Sequence, residues 1–327
     1  PDSSDTTLEA MSMCLARRGI TTFVPTIVSN APDVMLHNLS RLAGMMRNSY
    51  SGADAVGIHV EGPFLSQYKS GAQQYVGEVD LGYAREILAA GQGLIKRMTF
   101  APELAGATNL VEILITANVS PSMGHSQAGE AATLRAIDAG ARCVTHLYNG
   151  MPPLHQRELS LTSVALTDDR VTTELIIDGR HINPRMVNLA CRCKPANRVV
   201  AISDAIMAAG MPEGNYHIGP TDIVVENEAS RSTSGFMTGT TTMLDDGWHS
   251  LMSYAETSEI IAAQAVTINA AHSLQLFDRG ELAPRTRADI AIFDRQTNRP
   301  LMTVCNGRIV YSYKSYLIKE NALKNDE

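Results

Sequence analysis

The sequence predicts an α/β fold built on a (β/α)8-type barrel, with a small β unit at its C-terminal end. Three observations carry this. Short apolar runs rich in β-branched residues alternate with segments of helical character, the pattern of βαβ units on a parallel sheet. The polar residues best suited to chemistry fall at the C-terminal ends of those runs, where barrel sites are built. No Gly-rich phosphate loop follows the first run, as it would in a doubly wound nucleotide-binding sheet.

The runs follow one another at regular intervals. TTFVPTIV (21–28) comes first, then AVGIHVE (55–61), IKRMTFA (95–101) and VSPSMGH (119–125). RCVTHLYN (142–149), VTTELIID (171–178) and RVVAISD (198–204) complete a set of seven expected strands. Helical patterns occupy the intervals, as at 84–90 and 129–139. The tail changes character: LAPRTRADIAIF (282–293) and MTVCNGRIVYSY (302–313) read as strands with no helix between them. Asn306-Gly307 is a strong hairpin turn signal. The expected division is a barrel over residues 1–280 and part of a small β-sandwich domain with its tail over 281–327. The charged stretch 318–327 reads as a helix end or frayed tail.

Composition narrows the function classes. With 44% hydrophobic and 19% charged residues the chain is ordinary globular material. A net charge of −7 argues against a general nucleic-acid binder. An anionic small substrate stays open, because a few local cations suffice to hold a phosphate. The five cysteines, Cys14, Cys143, Cys191, Cys193 and Cys305, are odd in number and fit neither a disulfide framework nor a Cys-x-x-Cys zinc site. They read as reduced thiols of a cytoplasmic protein. No apolar run approaches the ~18 residues of a membrane span, so no membrane partner is expected.

Five polar residues end their strands: Glu61, His125, His146, Asp178 and Asp204. Two imidazoles on consecutive strands and a carboxylate on an earlier one form a normal divalent-metal ligand set. Glu61 shares a strand face with His59, which reads as a wall residue rather than a ligand. Asp204 follows an apolar strand as either a helix cap or a group that takes a proton from water and returns it to a leaving amine. His181, in Asp178-Gly179-Arg180-His181, suits a substrate contact or an exposed turn. Arg157, in a polar loop, is either solvated or a planar fork for phosphate.

The series HVEGPFL (59–65), YKSGA (68–72), APE (101–103), GHS (124–126), THLYNGM (145–151), RE (157–158), DGRH (178–181) and SDA (203–205) resembles the N-acetylglucosamine-6-phosphate deacetylases. The tail ADIAIFD…VCNGRIVY also resembles the β-domain of that superfamily. The resemblance implies a (β/α)8 barrel with a small β-sandwich, and hydrolysis of the acetamide of N-acetyl-D-glucosamine 6-phosphate. It implies Glu61, His125 and His146 as metal ligands, with Zn²⁺, Fe²⁺ or Mn²⁺ as the divalent ion, and Asp204 as catalytic acid and base. Substrate contacts are implied at Asn149, Gly150 and His181, at Gln73, and at Thr240 in the small-residue loop 238–243. Arg157 matches an Arg that reaches the phosphate held by a neighbouring subunit, which implies a homodimer.

The sequence departs from that pattern in places. Gln73 stands where the family has a His that contacts the acetyl group. Gly150 replaces an Ala, and Leu159-Ser160 replaces Pro-Gly. The family's first barrel strand should precede Pro1, so the chain is expected to be a fragment of a longer product. The galactosamine epimer as substrate, and a non-catalytic binding role, remain alternatives.

Overall fold

The computed structural model describes residues 5–313. In chain order its elements are α1 (Asp5–Arg17), β1 (Thr22–Phe23), β2 (Thr26–Val28), α2 (Pro32–Met45), β3 (Asp54–Ala55), β4 (Ile58–Glu61), α3 (Leu81–Ala90) and β5 (Ile95–Phe100). Then follow α4 (Ala107–Thr116), β6 (Ser120–Met123), α5 (Glu130–Ala139), β7 (Cys143–Val144), α6 (Leu161–Thr167), β8 (Thr172–Ile176), α7 (Pro184–Cys193) and β9 (Val199–Ile202). The remainder comprises β10 (Gly214–Ile218), β11 (Thr221–Glu226), β12 (Ala229–Ser232), β13 (Met237–Thr240), α8 (Leu244–Ala255), α9 (Glu259–Val266), α10 (Ile268–Ser273), β14 (Ile290–Phe293), β15 (Pro300–Cys305) and β16 (Arg308–Ser312).

Seven parallel strands form the main sheet in the order β2-β4-β5-β6-β7-β8-β9, with one register shift, at Ile58–His59 between β4 and β5. The fold is that of the (β/α)8-type barrel. Curvature is visible in a single contact: Arg97 on β5 pairs with Glu174 on β8. Two strands separate theirs, and in a flat sheet that spacing of roughly 14 Å would forbid an ion pair. The helices bury aliphatic faces against the sheet. Leu39 of α2, Ile87 of α3, Leu110 and Leu114 of α4 and Ile137 of α5 are fully buried with Ile58, Val60, Met98 and Met123 of the strands. Helix α3 starts where Asp80 accepts from the amides of Gly82 and Tyr83, and α7 starts where Asn183 accepts from Arg185.

The expected strands are present but shorter, and two are split. The run 21–28 breaks at Pro25, which has no N–H to give a ladder. Its first half pairs as β1 with β3, outside the main sheet. The run 55–61 breaks at Gly57, where a Cβ would lie 2.2 Å from Lys96 Cγ. In the tail, 282–293 is a strand only over β14, because Pro284 and the left-handed Arg285 (φ 75°) interrupt it. The Asn306-Gly307 turn joins β15 to β16 as expected, and β14-β15-β16 form a three-stranded antiparallel sheet. Helix α1 lies on that sheet: Thr303 Oγ1 donates to Ala16 O at 2.7 Å. The expected helix end or tail at 318–327 lies outside the described residues.

One unit was not foreseen. Between β9 and α8 the chain inserts a four-stranded antiparallel sheet, β10-β11-β12-β13. It sits over the C-terminal ends of the barrel strands. Thr221 Oγ1 donates to Ala72 O at 3.1 Å, and Ala205 bridges to Thr240.

Candidate metal centre and active site

The seven-stranded sheet brings Glu61, His125 and His146 together at the ends of β4, β6 and β7. Glu61 Oε1 is 2.8 Å from His125 Nε2 and 3.0 Å from His146 Nε2, and the two Nε2 atoms are 3.1 Å apart. The imidazole planes are almost perpendicular, at 89°. Ligand atoms around a tetrahedral ion with bonds of ~2.0–2.1 Å lie roughly 3.3 Å apart, so the triangle has the dimensions of a ligand face. Among the described residues this is the one cluster of three or more His, Cys, Asp or Glu side chains found with metal-ligand spacing.

The surroundings orient the donors. His125 Nδ1 is 2.7 Å from Lys69 O, and a carbonyl only accepts, so Nδ1 carries the hydrogen. With Nδ1 so tied, Nε2 is the ring atom that faces the cluster, as a donor to Glu61 when protonated and as a lone pair when the ring is neutral. Burial works against the Glu61 carboxylate, but hydrogen bonds from His125 and His146 outweigh it and hold Glu61 well below the usual carboxylate range. Burial also opposes a charged His146; its hydrogen bond to Glu61 and the charges of Glu61 and Asp204 prevail and lift it to about 9. The buried cluster is therefore electrostatically set for positive charge, and a divalent cation meets that requirement as well as a proton does. The donor set fits the ion.

Close packing explains why the chain takes this local form. A Cβ on Gly124 would stand 2.9 Å from Thr99 Cγ2 and 3.2 Å from Thr145 Cβ, so only glycine lets β6 end here. His125, His146 and Asp204 all have positive φ, at 46°, 33° and 49°. Such backbone is strained for these residue types and needs outside restraint. Each has it: His125 O accepts from Ser66 N, His146 O from Asn149 N, and Asp204 O from Thr240 N. Beneath the cluster His59 bonds Thr99 Oγ1 at 2.8 Å, and Thr99 continues through Thr145 to Ser122. Burial pushes His59 down to about 4, so it is a neutral wall residue.

Asp204 ends β9 on the same face. Burial, together with the nearby Glu61 charge, raises its carboxyl above the usual range, although His146, His181 and His125 oppose the shift. His181 follows β8, with Nδ1 2.6 Å from Asp178 Oδ2, so Nδ1 carries the hydrogen and Nε2 is the free edge. Asn149 turns its Nδ2 onto His146 O and Leu147 O, at 3.2 and 3.4 Å. Gly150, with φ 61°, packs where a Cβ would approach His125 Nδ1 to 2.8 Å. Gln73 Oε1 accepts from Ser29 N at 3.1 Å, tying the loop after β4 to the end of β2. Thr240 is buried, its hydroxyl on backbone carbonyls. Arg157 stands apart, exposed on the loop before α6, with no ion pair found among the described residues. Sequence reasoning missed the carbonyl of Lys69 and the restraining amides, since backbone groups carry no residue signature.

Comparison with known proteins follows the same lines. The model of the "Amidohydrolase family" matches residues 1–310. The chain is 32% identical over 319 residues to N-acetylglucosamine-6-phosphate deacetylase of Bacillus subtilis (strain 168), covering 96% of this chain and 80% of that protein. It is 32% identical over 300 residues to N-acetylgalactosamine-6-phosphate deacetylase of Escherichia coli O157:H7, covering 90% of this chain and 78% of that one. The crystal structure of N-acetylglucosamine-6-phosphate deacetylase from Thermotoga maritima superposes with a TM-score of 0.88 at 30% identity, over 94% of this chain and 83% of that chain. A mutant of the Mycobacterium smegmatis deacetylase in complex with N-acetyl-D-glucosamine-6-phosphate gives 0.89 at 30%, over 95% and 81%.

Proposed function

The chain belongs to the amidohydrolase family, and on that premise we propose that it removes the acetyl group of N-acetyl-D-glucosamine 6-phosphate, yielding D-glucosamine 6-phosphate and acetate. The observation that carries this is the Glu61–His125–His146 triangle with Asp204 on the same face of the sheet. Glu61, His125 and His146 would hold a divalent ion, with Zn²⁺ the best match to two imidazoles and a carboxylate and Fe²⁺ or Mn²⁺ also suited. Such an ion supplies activation of water, lowering its pKa to ~7, and polarisation of the amide carbonyl.

The side chains perform the rest. Asp204 takes the proton of the attacking water on its carboxylate oxygen and passes it to the sugar nitrogen as the C–N bond breaks. Its raised pKa suits the first half of that task, since a more basic carboxylate takes a proton from water more readily. His181 offers Nε2 to a sugar hydroxyl, its tautomer fixed by Asp178. Asn149 and Gly150 line the acetamide side. Gln73, bonded through Oε1 to Ser29, presents its Nε2–H₂ as a neutral donor. The exposed Arg157, flanked by exposed Leu154 and Leu159, suits a role in a homodimer, where it would meet the phosphate in the neighbouring site. The cysteine usage supports a cytoplasmic setting, and no described helix is long and apolar enough to cross a membrane. The barrel is assigned to 1–280 and the small domain to 281–327, with the three-stranded sheet of 290–312 in support.

The test is acetate release from N-acetylglucosamine 6-phosphate with Zn²⁺ present and Asp204→Asn as the blank. Release that vanishes in the blank is expected. Equal release by the blank would sink the role of Asp204, and no release by a metal-loaded chain would sink the substrate. The equal identity to N-acetylgalactosamine-6-phosphate deacetylase of Escherichia coli O157:H7 favours one second reading, the epimeric substrate. The ratio of kcat/KM for the two epimers decides between them.

A further inference from the structure

Thr240 ends β13, the last strand of the inserted sheet. The resemblance implies a substrate contact in its loop, but the geometry gives it another task. The residue is 2% exposed. Its hydroxyl has one hydrogen to give, and the acceptors facing it are Ser203 O at 2.8 Å and Thr242 O at 2.9 Å. Its N–H donates to Asp204 O at 2.9 Å, and its carbonyl accepts from Ile206 N at 3.0 Å. The preceding residue closes the fit: a Cβ on Gly239 would meet Asp204 O at 2.7 Å and stand 3.8 Å from Asp204 Oδ2.

We propose that Thr240 is a positioning residue for Asp204, and that the inserted sheet delivers this clamp to the barrel. The inference rests on the reading of Asp204 as acid and base. Peptide units are planar, so the conformation of Asp204 is set by the planes on either side of it. The Ser203 carbonyl lies in the plane before Asp204 and the Asp204 carbonyl in the plane after it. Thr240 reaches both, the second through its N–H and the first through a hydroxyl hydrogen shared between Ser203 O, the nearer acceptor, and Thr242 O. Together they fix φ and ψ at a residue whose φ of 49° is unfavourable for an aspartate. Any residue except proline at 240 could make the backbone bonds. The bond to Ser203 requires a hydroxyl, and that is the part of the clamp open to substitution.

Thr240→Val keeps the shape and both backbone bonds and removes the hydroxyl; Thr240→Ser keeps the hydroxyl. The metal-loaded chain is assayed for acetate release, with bound Zn²⁺ and circular dichroism read for each variant. Misplacing a reacting group costs up to ~10²-fold, so Thr240→Val is expected to lower kcat by about 10-fold or more with KM and bound Zn²⁺ unchanged. Thr240→Ser is expected to keep most of the rate. Thr240→Ala is the second hydroxyl-free variant should Thr240→Val lose its metal or its fold. A raised KM with kcat kept would restore the substrate-contact role and overturn the proposal. So would an unaltered Thr240→Val rate, or a Thr240→Ser rate as low as that of Thr240→Val. Full activity in Asp204→Asn alone would instead overturn the reading of Asp204 beneath it.

Discussion

Replacing Glu174 by Gln strips the partner from a guanidinium inside the barrel. Arg97 is 5% exposed and Glu174 6%, and they pair across the interior between β5 and β8. The other contacts of Arg97 are Ser273 O at 2.9 Å and Ser273 Oγ at 3.1 Å, while its Nε is without a partner. Both side chains are buried, so bulk solvent is poorly placed to take over the lost charge. Breaking a buried pair from one side costs about 3–5 kcal/mol, because the remaining ion keeps its desolvation penalty. For a chain of this size each kcal/mol shifts Tm by roughly 2 °C, so Glu174→Gln is expected to lower Tm by about 6–10 °C. The double replacement Arg97→Met with Glu174→Leu removes both charges and is expected to recover most of that loss. Thermal unfolding followed by circular dichroism, at fixed Zn²⁺ because bound metal also shifts Tm, measures all three proteins. A Glu174→Gln change of under about 1 kcal/mol would refute the reasoning, as would a double variant no more stable than the single one.

Three other outcomes are expected. His146→Ala removes one corner of the ligand triangle, so the purified variant should carry far less than one Zn²⁺ per chain by atomic emission; full occupancy would remove His146 from the ligand set. Burial opposes ionisation of Asp178, but its hydrogen bond to His181 outweighs this and holds its carboxyl below the ordinary 3.8. A depressed folded pKa adds stability above the unfolded pKa and loses it as pH falls through the folded one. The urea-midpoint gap between the parent and Asp178→Asn should thus be constant near neutrality and close below about pH 4; a gap that widens with acid would show the sign to be wrong. Cys14 and Cys193 are exposed, whereas Cys143 is buried with its thiol pushed up to about 12. Brief iodoacetamide treatment of the native protein should label the first two and spare Cys143 in peptide mass spectra. Rapid labelling of Cys143 would contradict the packing of the barrel interior.

What the sequence disclosed follows from how residues interrupt a pattern. Glu61, His125, His146, Asp178 and Asp204 each close an apolar run, and strand alternation places such residues at the sheet's C-terminal ends without knowledge of the fold. Pro25 and Gly57 cut two of those runs in ways visible in retrospect. The inserted sheet was hidden for a different reason. Its β11-β12 hairpin turns at Asn227-Glu228, with φ of 51° and 58°. That left-handed pair is normally announced by Asn-Gly or Asp-Gly, and a glutamate gives no such signal. Its strands also alternate only weakly, since Tyr216, His217 and Asp222 offer no apolar stripe. With the sheet unread, the hold of Thr240 on Asp204 was out of reach, because the two residues are far apart in sequence. The same applies to Gln73, whose bond to Ser29 joins segments with no shared motif.

The inserted sheet has few fully buried aliphatic side chains of its own, among them Ile223 and Val225. The barrel beneath it buries many Leu, Ile, Val and Met side chains where its helices pack on the sheet. Segments with few buried apolar contacts open at lower free energy than the global transition, as native-state amide exchange reports. Asp204 therefore takes its conformation from the weaker of the two units. Mild denaturant or warmth that loosens residues 214–240 would release the amide of Thr240 to exchange while the amides of β5 and β6 stay protected. If Asp204 is the acid and base proposed, catalytic competence and global folding are expected to be separate thermodynamic quantities, with the first lost at lower denaturant than the second.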